Sequence, residues 1–174
     1  MQPADLDILH TICREAYSRN FHHHWTGDGL AGYLEKVFGR DILKAELADP
    51  LIRYYVAFRE QEPLAFMKLN LSSNLPGKPP EQGLELDKLY ILPECKGLKI
   101  GGSMVDLALD LARELGKAVC WLVVLDANTP AIAFYEKYGF RFHSTTRVPY
   151  PWFREELKGM WRMQVEIKKV TENL

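Results

Sequence analysis

The stretch Leu84-Glu-Leu-Asp-Lys-Leu-Tyr-Ile-Leu-Pro-Glu-Cys-Lys-Gly-Leu-Lys-Ile-Gly-Gly102 decides how this chain folds. Its first nine residues alternate, which predicts a strand over Leu84–Leu92. That strand carries Leu84, Leu86, Lys88 and Tyr90 on one face and Glu85, Asp87, Leu89 and Ile91 on the other. A Gly- and Lys-rich turn, Cys95–Gly102, leads into Ser103–Leu115. There the stripe Met104, Val105, Ala108, Leu111, Ala112 and Leu115 predicts a long helix, with Gly116 placed as its C-terminal cap. Val119–Leu125 is a continuous apolar run of the kind buried on both faces. A strand, a long crossover and a second strand make a parallel pair.

Upstream of this unit, Leu9, Ile12, Cys13 and Ala16 fall at helical spacing, so Leu6–Tyr17 reads as an amphipathic helix. Asn20–Gly32, with three consecutive histidines and three glycines, reads as irregular. Helical pattern resumes over Tyr33–Phe38 and Ile42–Leu47, and Asp49-Pro50 stops it. Arg53–Arg59 and Leu64–Leu71, joined at Glu60–Pro63, read as an antiparallel hairpin. Ser72–Gly83, with its prolines and glycines, reads as a surface loop. Downstream, Thr129 is placed as an N-cap and Pro130 as the first residue of a helix ending at Tyr138-Gly139. Strands near Phe140–Val148 and Met160–Lys168 bracket a loop holding Pro149, Tyr150, Pro151, Trp152 and Phe153. The expected fold is a mixed α/β sheet in a single domain spanning residues 1–174.

Composition narrows the function. The chain has 174 residues, and 22 Lys plus Arg against 23 Asp plus Glu give a net charge of −1. A balance so near zero argues against a nucleic-acid partner held on a basic face. No apolar run is long enough to span a membrane, and Met1–Asp7 lacks the pattern of a secretory signal. Cys13, Cys95 and Cys120 are odd in number and widely spaced, which suits a reducing cytoplasm and small core or surface residues rather than a disulfide framework or metal site. His22, His23 and His24 are consecutive and point in different directions, so no metal is expected there.

Lys96-Gly-Leu-Lys-Ile-Gly-Gly sits where a strand feeds a helix N-terminus, with unpaired N–H groups and the positive end of the helix dipole. Such a turn either cradles a phosphate or simply connects two elements. It lacks the terminal Gly-Lys-Ser/Thr of a Walker loop and the spacing of a dinucleotide fingerprint.

The block Leu89-Tyr-Ile-Leu-Pro-Glu-Cys-Lys-Gly-Leu-Lys-Ile-Gly-Gly, followed by a long helix, resembles the central motif of the GNAT superfamily of acetyl-CoA-dependent N-acetyltransferases. Asn128-Thr-Pro-Ala-Ile-Ala-Phe-Tyr-Glu-Lys-Tyr-Gly-Phe is similar to that family's second motif, and the two stand in the right order. The resemblance implies a mixed α/β (α+β), mostly antiparallel central sheet with a splayed parallel strand pair, flanked by helices on both faces. It covers the whole helix–strand order except the start, where only Met1–Pro3 precede the first helix and the family usually has a strand. One position departs from the pattern: the first required glycine of the pyrophosphate turn is here Lys99.

The resemblance also implies a site. Leu89, Tyr90 and Ile91 would contact the pantetheine arm of acetyl-CoA, with the Ile91 N–H facing the thioester oxygen. Lys96, Gly97, Leu98, Lys99, Ile100, Gly101 and Gly102 would wrap the pyrophosphate, the Lys99 ammonium pairing with a phosphate. Asn128 would bond the pantetheine and Lys137 would reach a phosphate. Tyr135 is the expected general acid and Glu85 the expected base. Asp87, on the Ile91 face with Glu85, would line the acceptor side with Trp25, His143, Tyr150 and Trp152.

The acceptor expected from the pattern is a small-molecule primary amine. Trp121-Leu-Val-Val-Leu-Asp-Ala-Asn and the positions Tyr33, Glu35, Phe38, Leu43 and Glu46 resemble bacterial polyamine acetyltransferases. Acetylation of a protein N-terminal α-amino group is the alternative within the family, but Val123 stands where those relatives carry a catalytic glutamate. A domain that binds acyl-CoA as a sensor, without turnover, is the alternative outside it. A homodimer through the C-terminal strands is a further implication.

Overall fold

In the computed structural model, which describes residues 1–168, the order of elements is three helices, a hairpin, a strand–helix–strand unit, a helix and a final hairpin. The helices are α1 (Leu6–Phe21), α2 (Gly29–Phe38), α3 (Arg40–Ala48), α4 (Ile100–Glu114) and α5 (Thr129–Lys137). The strands are β1 (Ile52–Arg59), β2 (Glu62–Asn70), β3 (Gly83–Ile91), β4 (Val119–Leu125), β5 (Arg141–Arg147) and β6 (Gly159–Glu166). They form one sheet in the order β1-β2-β3-β4-β6-β5, antiparallel except for β3 against β4.

Both faces of the sheet are covered, as the alternation along β2 requires. Ala65, Met67 and Leu69 pack with Val105, Ala108 and Ala112 of α4, while Leu64 and Phe66 pack with Leu9, Ile12 and Phe38 of α1 and α2. Trp121, which with Cys120 faces opposite sides of β4, meets Leu75 from the loop after β2.

Five local details differ from the sequence reading. First, β3 is not a regular strand. Lys68 pairs with Lys88 but Leu69 pairs with Leu86, so Asp87 is an extra residue in a β-bulge. The bulge reverses the phase of the strand. Leu84 and Leu86 lie on the α4 side, and beyond the bulge so do Leu89 and Ile91, while Tyr90 turns to the α1 side. Glu85 and Asp87 therefore do not share a face with Ile91.

Second, α1 continues to Phe21 and His22–His24 form a single 3-10 turn. Third, α2 starts at Gly29 rather than Tyr33. A side chain at Gly29 would overlap the Cβ of Trp152, so the glycine serves a close helix–loop approach. Fourth, α4 starts three residues earlier than read, at Ile100, because Lys99 takes up the left-handed conformation at φ 62° and begins the helix. Fifth, Asn128, rather than Thr129, caps α5, its side chain accepting from the Ala131 N–H at 3.3 Å.

Candidate acetyl-transfer site

The parallel pair is where the site opens. β3 and β4 pair only from Gly83↔Val119 to Leu86↔Leu122, although the strands run on to Ile91 and Leu125. Beyond Leu86 they splay apart. The ladder phase then settles which groups the gap exposes. The Leu92 N–H donates to the Leu64 carbonyl at 2.9 Å. Pairing alternates with a period of two, so the N–H groups of Leu89 and Ile91 point away from β2, into the splay. The Ile91 carbonyl points the same way and accepts from the Asn20 amide at 2.9 Å, and among the described residues no acceptor is found for the Ile91 N–H.

A cavity of about 700 Å3 fills this gap and runs to both sides of the sheet edge. Its first arm is bounded by Lys96, Gly97, Lys99, Ile100, Gly101 and Gly102 and by Asn128, Ala131, Phe134 and Tyr135. Gly97, at φ 88°, has open space where a side chain would stand, so its backbone can approach a bulky group closely. Gly101 and Gly102 work differently from the sequence reading. They are helical, and a side chain there would press on Ile91 and overlap the Tyr138 hydroxyl respectively. With the unpaired N–H groups of the first turn of α4 and two lysines, this arm suits phosphate anions. The Lys96 ammonium bonds Asn20 at 2.6 Å, which ties α1 to the turn. Asn128 spends its side-chain oxygen on the helix cap and lines the cavity.

At the junction stands Tyr135, packed edge-on against Phe134 (5.2 Å) and Phe140 (5.8 Å). Burial pushes its pKa well above that of an ordinary phenol, so it stays protonated across the physiological range.

The second arm is aromatic. Tyr17 and Phe21 from α1, Trp25, Tyr33 from α2, Tyr90 from β3 and Tyr150 line it, with Asp87 at its floor. Tyr17 and Tyr33 stack at 4.5 Å, Tyr150 meets Tyr33 edge-on at 5.1 Å, and Tyr90 lies 5.4 Å from both Tyr17 and Phe21. Trp25 is buried with its indole N–H unpartnered. Burial raises the pKa of Tyr17, Tyr33 and Tyr90. A bridge between Trp25 and Phe153 closes the outer wall. For Asp87, burial pushes the pKa up, but Lys88 at 2.8 Å and Lys68 at 3.1 Å outweigh it and hold the carboxyl below its ordinary value.

Several residues expected at the site lie outside this cavity. Glu85 is held by Asn70 at 2.9 Å and Ser73 at 2.7 Å, and burial together with Asp87 raises its pKa. It does not line the cavity. His143, the bulged residue of β5, sits on the edge strand and bonds Ser144 at 2.9 Å. Trp152 is 61% exposed over Gly29, Leu98 is 53% exposed, and Lys137 lies at the exposed C-terminal end of α5. Tyr90 does line the cavity, but on the aromatic side rather than beside Leu89 and Ile91. Conversely, Tyr17, Asn20, Phe21 and Tyr33 line the cavity; the sequence reading put Tyr17 and Tyr33 only at helix ends and Asn20 and Phe21 in an irregular segment. Among the described residues no group of three His, Cys, Asp or Glu side chains is placed to hold a metal ion, and no helix is long and apolar enough to cross a membrane.

Lys99 carries its own test. A non-glycine residue in the left-handed region costs about 1–2 kcal/mol, and glycine gives back about 0.4–1 kcal/mol through the unfolded chain. Lys99→Gly is therefore expected to raise stability by up to about 1 kcal/mol in urea unfolding. It is also expected to weaken coenzyme A binding in calorimetry through loss of the ammonium. Unchanged affinity would remove Lys99 from the phosphate arm.

The chain matches the acetyltransferase (GNAT) family over residues 9–140 and belongs to it. It is 27% identical over 135 residues to an uncharacterised N-acetyltransferase of Lactobacillus delbrueckii subsp. lactis, covering 78% of each chain. It is 26% identical over 151 residues to a spermidine N(1)-acetyltransferase of Thermoplasma acidophilum, covering 81% of this chain and 85% of that one. Among solved structures it resembles the PaiA N-acetyltransferase of the same organism, in complex with coenzyme A. That likeness has a TM-score of 0.74 at 20% identity and covers 95% of both chains.

Proposed function

We propose that this GNAT acetyltransferase transfers the acetyl group of acetyl-CoA directly to the primary amine of a small molecule, both bound in the one cavity. The observation that carries this reading is the meeting, at one splay, of a free Ile91 N–H, a protonated Tyr135 and an aromatic chamber with an anion-binding turn opposite. Acetyl-CoA supplies an acyl carbon activated as a thioester.

The chain's own residues do the rest. The amides of the turn, with Lys96 and Lys99, hold the diphosphate, and the Asn128 amide and Leu89 N–H hold the pantetheine. The Ile91 N–H donates to the carbonyl oxygen as it gains negative charge. The amine nitrogen bonds the acyl carbon, the carbon–sulfur bond breaks, and the Tyr135 phenol protonates the sulfur. The proton shed by the amine nitrogen returns to the Tyr135 phenolate, which restores the phenol for the next turnover. The aromatic chamber favours the uncharged amine by desolvation, which spares the site a strong base.

Polyamines are candidate acceptors on the strength of the spermidine N(1)-acetyltransferase relative. N-terminal peptides are less suited, because Val123 puts an apolar group on the cavity wall where a carboxylate would serve them. A free-thiol assay with acetyl-CoA and a panel of polyamines, amino acids, aminoglycosides, simple monoamines and N-terminal peptides tests the reading. Thiol release with one small-amine class is expected. Coenzyme binding without release under every acceptor would leave a sensor domain instead.

A further inference from the structure

Resting on the acetyl-transfer reading, we infer that the acceptor is a primary monoamine carried on a flat aromatic body, not a polycation. The chamber beside the splay is walled by Tyr17, Phe21, Trp25, Tyr33, Tyr90 and Tyr150. These rings pack on one another with centroids 4.5–5.4 Å apart, and their remaining surface lines one space. Such walls hold an aromatic ring by offset and edge-to-face contact.

Charge excludes the longer cation. Asp87 is the one carboxylate lining the cavity among the described residues, and it is already paired with Lys68 and Lys88. Glu46, the next anion, lies behind Lys68 at 2.5 Å and also bonds the Tyr54 hydroxyl. These four charges sum to zero, and Glu85 is turned to Asn70 and Ser73. At the chamber's outer wall the Lys36 ammonium stands 5.3 Å over the Tyr150 ring, adding positive charge. A polyamine entering here would place its second and third ammonium groups against lysines with no free carboxylate to receive them. An arylalkylamine brings only the nitrogen that reacts.

Steady-state thiol release with 2-phenylethylamine, ethylamine and spermidine tests this, using the whole chain. Values of kcat/KM for 2-phenylethylamine are expected to exceed those for either other amine by about tenfold or more. Tyr33→Leu is expected to erase that preference by lowering kcat/KM for 2-phenylethylamine much more than for ethylamine, and Tyr33→Phe to retain it. Circular dichroism of each variant separates a lost wall from a lost fold. Faster turnover of spermidine, or an equal loss for both monoamines in Tyr33→Leu, would overturn the inference. If no amine releases thiol, saturation-transfer NMR on the coenzyme A-loaded protein decides between the two readings. Binding of 2-phenylethylamine there keeps the ligand class and removes only the catalysis, and absence of binding removes both.

Discussion

Replacing Tyr135 with Phe is expected to lower kcat by about 10²–10³-fold, with the KM for acetyl-CoA changed by no more than about twofold. The substitution removes one oxygen and keeps the ring that packs against Phe134 and Phe140. Tyr135 lines the cavity. Because burial raises its pKa, the phenol is present as a proton donor throughout the neutral range. A thiolate leaving into the same cavity is itself a stronger base than in water, since desolvation raises its pKa too. The donor and the leaving group are therefore matched by a shared environment, and the proton is supplied as the carbon–sulfur bond opens. A 10²-fold loss corresponds to about 2.7 kcal/mol of transition-state stabilisation, within the usual range for a general acid. Thiol-release kinetics with thermal unfolding as a control provide the measurement. A variant that folds normally and turns over within about threefold of the parent would make Tyr135 a packing residue.

The strand–helix–strand unit and the glycine turn were legible because each shows its period over many residues. What the sequence hides is a phase. The single extra residue at Asp87 leaves the alternating pattern of 84–92 looking continuous, yet it moves Ile91 to the other face from Glu85 and brings Asp87 to the chamber. A bulge has no compositional mark, so two carboxylates that look equivalent end in different places. The aromatic chamber is hidden for another reason. Tyr17 and Tyr33 read only as helix ends and Phe21 as part of an irregular segment, and only the splay of β3 from β4 leaves space in front of them. Nothing in the sequence marks Lys68 apart from its place in a strand. It is 7% exposed, because α3 covers that face and brings Glu46 to meet it. Conversely, Tyr135 and Asn128 were placed by their motif, and the N-cap role of Asn128 explains why that position cannot be an apolar residue.

Lys68→Met is expected to destabilise the fold by about 3–5 kcal/mol, because among the described residues Lys68 is the only cation that touches both Glu46 and Asp87. Methionine nearly matches the stem, so lost packing contributes little and the cost is electrostatic. Asp87 keeps Lys88 and Glu46 keeps the Tyr54 hydroxyl, but two partly buried carboxylates then stand close with no cation bridging them. The sign of the pH dependence follows from the shifts in the parent. The folded pKa of Asp87 lies below its unfolded value of about 3.9. Its contribution is therefore complete above that value and is lost as pH falls through the lower folded one. The folded pKa of Lys68 is raised, so its contribution is complete below about 10.4 and is lost as pH rises beyond it. Between these limits the parent sits on a plateau. In the variant Asp87 loses one of the two lysines that hold its pKa down, so the value rises and its protonation relieves the repulsion. The gap between the two proteins should then be widest near neutral pH and shrink towards pH 4–5. Urea unfolding at both pH values measures it. Adding Glu46→Gln to Lys68→Met should recover part of the loss, whereas unrelated sites would add their costs. A single variant within about 1 kcal/mol of the parent, or a strictly additive double variant, would show that Lys68 does not hold this cluster together. If it does hold it, the floor of the acceptor chamber is fixed from beneath by a charge that never touches the substrate.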